Sequence, residues 1–402
     1  MPAASWRPHP ARVGADVPRY QRVGDVPRKR HTLHRHDGAV VFEELMGSDG
    51  FSGPSSLLYH RHSPSAIVRV EAPDPAPVCW RPNQPLRPHH LRTGALLPPT
   101  DTTDAVCGRR MLLGNDDVQL GFAAARTTSP LYRNATGDEL VFVHDGEAVL
   151  ESSFGRLSAS AGDYVAIPAA TTHRWVVESA ADLLIVAARG HVTVPGRYIN
   201  ASGQLLEGAP FSERDQRAPD PEPLVVDGED VPVLVRTRVG LSVHVHATHP
   251  FDVVGWDGCL YPWALSIHDF EPIVGRIHQP PPVHQTFAGP NFVVCSFVPR
   301  PYDFDPDAVK VPYHHANVDT DEVLFYSRGD FMSRAGSGIG AGSISLHPPG
   351  FVHGPQPGSR ERSVGVDRTE EVAVMIDVFR PLELSDEALA VSDPEYPFSW
   401  SR

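Results

Sequence analysis

The chain has 402 residues, of which 41% are hydrophobic, and a net charge of −14. That length accommodates two ordinary domains or one large duplication, and the apolar share supports a packed core rather than wholesale disorder. An acidic chain without a basic face is excluded as a nucleic-acid binder, and an anionic membrane surface is excluded on the same ground.

Proline (41) and glycine (33) are abundant, which favours strands, edges and turns over long helices. Met1–Asp25 carries prolines and arginines but no apolar run of signal-peptide length, and nothing later approaches a membrane span. A cytoplasmic location is therefore expected. The basic cluster Pro27–His31 is too short for an anchor and predicts a solvated or structural segment. Residues 1–115 are rich in proline and histidine, with strand-like runs such as Ala66–Val70, and are expected to wrap the remainder or build a subunit contact. Cys79, Cys107, Cys259 and Cys295 lie far apart without paired spacing, so they are expected to be reduced and mostly buried small hydrophobes.

The informative feature begins at Tyr132. There Tyr132-Arg-Asn134 is followed after four residues by Glu139 and after six more by Gly146. Gly162, Pro168, Ala170 and His173 complete the pattern. The same spacing recurs from His315: His315-Ala-Asn317, Glu322, Gly329, then Gly342, Pro348, Gly350 and His353. The runs Glu139–Val143, Asp163–Ile167, Glu322–Tyr326 and Ser343–Leu346 are short, apolar and bounded by glycine, which predicts strands. Between the copies, Pro219–Pro223 predicts an exposed connection. Gly336–Gly342 lacks the Lys-Ser/Thr of a phosphate loop and predicts a hairpin loop. Ser385–Ala390 is the clearest helical segment, with Ser385 as its N-cap.

The repeated two-part motif resembles the signature of the cupin family. The expected fold is accordingly mainly β: a bicupin of two jelly-roll (double-stranded β-helix) barrels with little helix. The expected units are an N-terminal wrapping region, 1–115; a degenerate N-terminal cupin, 116–230; a metal-holding C-terminal cupin, 231–385; and a tail, 386–402. In the first copy the motif positions are Tyr132, Asn134, Glu139 and His173; tyrosine is a poor substitute for imidazole, so this barrel is expected to be metal-free scaffold. The second copy keeps His315, Glu322 and His353, with Asn317 at the weaker fourth position. Two histidines and a carboxylate with other positions open match the facial triad of iron(II) oxygenases, whereas a structural zinc more often closes a four-ligand shell. Neighbouring His314 is set aside because adjacent strand residues face opposite ways and the spacing to Glu322 selects His315.

A narrower resemblance covers roughly 120–360. Pro250–Gly258, Pro312–Asn317 and Ser345-Leu-His347 through His353-Gly-Pro355 are similar to the homogentisate 1,2-dioxygenase family. The resemblance implies Fe(2+), dioxygen and a small aromatic substrate, opened to maleylacetoacetate in tyrosine and phenylalanine catabolism. It also implies a homo-oligomer, trimeric or hexameric. By motif, His315, Glu322 and His353 match the iron ligands; His278 matches an acid–base histidine; His347 matches a pocket histidine; Tyr313, Asn317 and Phe331 fall at substrate-pocket positions. Asp257 stands where the family usually has histidine, and Phe331 where it has a substrate-contacting tyrosine. A gentisate-type hydroxybenzoate dioxygenase and a non-catalytic bicupin binding protein are the competing readings. The groups His244/His246/His249, His60/His62, His89/His90 and His31/His34/His36 are read as accidental in a chain with 21 histidines.

Overall fold

The structure, a computed structural model, describes residues 19–72, 78–96 and 103–401. Strands dominate. Among the described residues the α-helices are Ser359–Arg362 and Asp386–Ala390, the second capped by the Ser385 hydroxyl accepting from the Ala388 amide, as the sequence predicted. None of the described helices is long and apolar enough to cross a membrane.

The N-terminal barrel is organised by one long strand, Glu139–Ser152, which serves two sheets. Its first half pairs with Asp163–Ile167 and Ala181–Ala188, and its second half with Gly155–Ser160 and His173–Val176. The turn at Gly146 has φ +79°, and a side chain there would collide with the Ala180 carbonyl oxygen, so the motif glycine is required. The second copy repeats the device at Gly329, φ +99°, against Glu370.

Alternation along these strands explains why both motifs look continuously apolar. Val141 and Val143 point into the N-terminal barrel with Leu183, Ile185 and Ala187, while Leu140 and Phe142 join a core shared with the other barrel. A strand covered on both faces has no polar side. In the C-terminal sheet, Val323, Phe325, Val374 and Ile376 pack into that shared core. Their alternates Glu322, Leu324, Tyr326, Ala373, Met375 and Asp377 line a cavity instead. The barrels meet through Phe142, Phe122 and Phe325, the bond between Tyr164 and Ser296 hydroxyls (2.9 Å) and that between His144 and Ser327 (3.0 Å).

The C-terminal sheet runs Gln285–Gly289, Phe292–Phe297, Val372–Val378, Asp321–Arg328, Ser343–His347 and His89–Arg92. Its opposite wall is mostly irregular, tied by the paired strands Arg300–Pro301 and Arg368–Thr369 and by one antiparallel bridge, His315 to His353. The expected unit boundaries do not coincide with the strand pairing. His89–Arg92 completes the C-terminal sheet, Glu229–Arg236 pairs with Tyr132–Asn134 of the first barrel, and Glu383–Ser385 joins the first barrel's edge together with Trp80–Pro82. The cysteines depart from expectation too: Cys295 is buried, but Cys79 and Cys107 are exposed and Cys259 is intermediate.

Candidate metal centre

Glu322 is buried on the cavity-facing side of its strand, with His347 opposite it on one neighbouring strand and Asp377 on the other. Across the cavity, the bridge between His315 and His353 holds both backbones through paired hydrogen bonds of 2.9 and 2.8 Å. Their imidazole rings lie 4.3 Å apart. The ligating atoms of His315, Glu322 and His353 all fall within 4.8 Å of one another, the only such group found among the described residues.

The electrostatics favour a cation there. His315 Nδ1 lies 3.2 Å from the Tyr313 carbonyl and His353 Nδ1 lies 3.0 Å from that of Phe351. Each Nδ1–H is thus assigned as donor to the carbonyl two residues earlier, which leaves the Nε2 lone pairs turned towards Glu322. Nε2 of His315 is 3.4 Å from one carboxylate oxygen and Nε2 of His353 is 3.2 Å from the other. The His353 Nε2 is buried without a hydrogen-bond partner. Lone pairs facing a carboxylate repel unless a proton or a metal ion lies between them, and two imidazoles with one carboxylate are the donor set of a divalent transition metal. For Glu322, burial pushes the carboxyl up, but the surrounding imidazoles of His315, His347 and His353 outweigh it and hold it well below its ordinary range.

A relay stands behind the carboxylate. His347 Nδ1 is 2.9 Å from Glu322 Oε1, and its Nε2 is 2.8 Å from the Tyr396 hydroxyl. Burial depresses His347 to about 3, so it is neutral; its Nδ1–H donates to Glu322 and its Nε2 accepts from Tyr396. The segment Tyr396–Ser401 closes this side, with the Trp400 indole donating to the Gly354 carbonyl (2.9 Å). The segment Tyr396–Ser401 of the tail therefore supports the site, a role its sequence did not signal.

The predicted residues separate accordingly. His278 and Tyr313 are exposed, their rings 5.0 Å apart on the rim of a cavity of about 330 Å³ that His315, Glu322 and Asn317 also line. His347 and Phe331 lie outside that lining. His347 is fully buried behind Glu322, and Phe331 packs against Tyr326 at 5.1 Å, so neither is placed as a substrate contact. Asp257 is not part of the cavity lining; it accepts from Arg30 at 2.7 Å on a strand paired with Gln21–Gly24. Sequence spacing missed Arg334, whose guanidinium donates to Tyr326 Oη (3.0 Å) and to the Gly354 carbonyl (2.8 Å), and His284, which burial depresses to about 3. Both line the cavity. It also missed Asp377, raised to about 7 by burial and then by Glu322.

In the first barrel the equivalent bridge joins Tyr132 to His173, and His173 Nδ1 again lies near the carbonyl two residues earlier, Thr171, at 3.0 Å. Here, however, Arg109 enters. Its Nη1 donates to Glu139 Oε1 at 2.8 Å and lies 3.3 Å from the Tyr132 hydroxyl, while Tyr132 (2.7 Å) and Asn134 (3.1 Å) donate to the same oxygen. A guanidinium thus supplies the positive charge opposite the motif glutamate. Burial pushes Glu139 up, but Arg109 and Arg236 more than compensate and hold it at about 2. His244, His246 and His249 form no group of converging ligand atoms.

Among known proteins, one from Saccharolobus solfataricus, provisionally named a dioxygenase, is 40% identical over 392 residues, covering 95% of this chain and 98% of its own. The homogentisate 1,2-dioxygenase of Emericella nidulans is 23% identical over 289 residues, 66% of this chain and 62% of that one. That of Caenorhabditis elegans is 25% identical over 369 residues, 83% and 80% of the two chains. No family model matches. A solved cupin 2 conserved barrel domain protein from Leptotrichia buccalis overlaps 76% of this chain and 100% of its own at 10% identity and a TM-score of 0.34, too loosely to bear on the reasoning.

Proposed function

The chain belongs to the homogentisate 1,2-dioxygenase family of bicupins and is a dioxygenase of that kind, and from this premise we propose that it is an iron(II) enzyme that opens the ring of homogentisate or a close hydroquinone to a maleylacetoacetate-type product. The observation that carries the reading is the convergence of two imidazoles and one carboxylate on a point that opens into a ring-sized cavity. His315, Glu322 and His353 would hold the ion. Bound there, iron(II) supplies the electron exchange that lets triplet dioxygen react with a closed-shell phenol.

The remaining chemistry belongs to the side chains. His347 and Tyr396 hold Glu322 in one orientation and one protonation state. His278, on the rim beside Tyr313, takes the phenolic proton as the substrate enters and returns it as product leaves. Arg300, Lys310 and Arg334 line the same cavity together with Asp303, Glu371 and Asp377, and Arg300 is paired with Glu371 at 3.1 Å. Asn317 and Tyr313 flank the ring. The same reading carries a homo-oligomeric assembly, a cytoplasmic location and a place in tyrosine and phenylalanine catabolism.

The test is oxygen consumption by iron(II)-loaded protein with homogentisate, run beside gentisate and unsubstituted hydroquinone. Uptake with homogentisate, accompanied by a ring-opened product absorbing in the near ultraviolet, is the expected result. Uptake with gentisate and not homogentisate moves the substrate, and silence with all three refutes the reading.

A further inference from the structure

The first barrel has its own cavity, and nothing in the proposed oxygenase chemistry uses it. It is a cleft of about 1200 Å³ at the mouth of that barrel. Arg109 and Tyr132 form part of its lining, and the Arg109 Nη2 is buried with no hydrogen-bond partner. Further out the lining includes Arg189, Arg236 and Arg238. Arg236 is held by Gln119 and stands 4.0 Å from Glu139. Among the described residues, the side chains of Arg189 and Arg238 form no ion pair or hydrogen bond. Burial, and then the charges of Arg238 and Arg236, push Arg189 below its ordinary value against the opposing pull of Asp116 and Asp117.

Three carboxyls also line the cleft, Asp116, Asp321 and Glu383. Asp321 is engaged by the Leu382 amide at 2.6 Å, and burial raises it to about 6. Apolar surface is present as well, from Trp80, Met111, Leu86 and Val239. Guanidinium groups in a concave site select carboxylate or phosphate oxygens, and an aromatic and aliphatic wall selects an apolar body.

We infer that the degenerate barrel is a second binding site, taking a small organic anion with a carboxylate head and an apolar body between Arg189, Arg236, Arg238 and Trp80. This inference does not depend on the metal chemistry of the other barrel.

Calorimetric titration of the full chain with phenylacetate at low salt tests it, in a Glu322→Ala background that leaves the other site without its carboxylate. Saturable binding is expected, with Kd raised at least tenfold when Arg189→Gln and Arg238→Gln are added together. Both side chains lie outside the core, and an unchanged thermal midpoint confirms that the variant is folded. Trp80→Ala should weaken binding of phenylacetate while leaving any binding of inorganic phosphate unaltered. Absence of binding, a Kd unmoved by the arginine pair, or inorganic phosphate binding as tightly as phenylacetate would each overturn the inference.

Discussion

Replacing Arg109 with leucine strips the positive charge from a glutamate that is fully buried. The wild-type pair is close, 2.8 Å, and its side chains are 7% and 1% exposed. Removing one member of a buried pair leaves an uncompensated charge and costs about 3–5 kcal/mol, whereas replacing both with apolar groups of similar volume is near neutral. At about 2–4 °C per kcal/mol for a domain of this class, Arg109→Leu should lower the N-terminal barrel's melting transition by roughly 6–20 °C. Glu139→Leu alone should also destabilise, because the guanidinium then keeps only Tyr132 and its Nε bond to the Ala105 carbonyl (2.7 Å). The double variant should recover most of the loss. Differential scanning calorimetry of the four proteins gives the coupling directly. A shift under about 2 °C in Arg109→Leu, or a double variant as damaged as the sum of the singles, would refute the view that this ion pair occupies the place of a metal.

Four further outcomes follow from the same geometry. His347→Ala should weaken iron binding about 10–100-fold without abolishing it, since it removes the group that orients Glu322 and not a ligand; competition with a graded chelator measures this, and an unaltered affinity would contradict the relay. Stability should fall as pH drops from about 6.5 towards 4: His173 and His90 are held at about 4 by burial, below their unfolded value, so the unfolded chain binds more protons in that window. His60 acts in the opposite direction, because Asp252 and Glu44 outweigh its burial and raise it to about 9. Its contribution is complete below pH 6.5 and lost as pH rises through 9, so His60→Gln should flatten the alkaline limb of a urea-denaturation pH series; an unchanged limb would contradict that assignment. Finally, Tyr132→His combined with Arg109→Leu restores a histidine–glutamate–histidine set in the first barrel and should install a second iron per chain, measured by elemental analysis against the single-site parent.

Much of this was legible in the chain because spacing along strands is geometry. The offset from His315 to Glu322 and on to His353 survives folding as three groups within reach of one another, since Glu322 faces the cavity from its strand and one bridge joins His315 to His353 across it. Side chains contributed from elsewhere were not legible. Arg109 lies 30 residues before Glu139 on no motif, and Tyr396 lies 49 residues beyond His347, so only the fold brings them together. His347 and Phe331 share the motif's neighbourhood but not its cavity-lining positions, which depend on cross-strand register and on what the C-terminal segment covers. Sheet edges, too, are completed by segments distant in sequence, His89–Arg92 in one barrel and Glu383–Ser385 in the other.

The central claim is that one ancestral design was divided, with the C-terminal barrel keeping a metal and the N-terminal barrel replacing it with an arginine. Anomalous diffraction at the iron edge, from crystals of the iron(II)-loaded protein, tests it most directly. The account predicts one peak per chain, between His315, Glu322 and His353, with none between Glu139 and His173. A peak in both barrels, or one beside Glu139 alone, would contradict it.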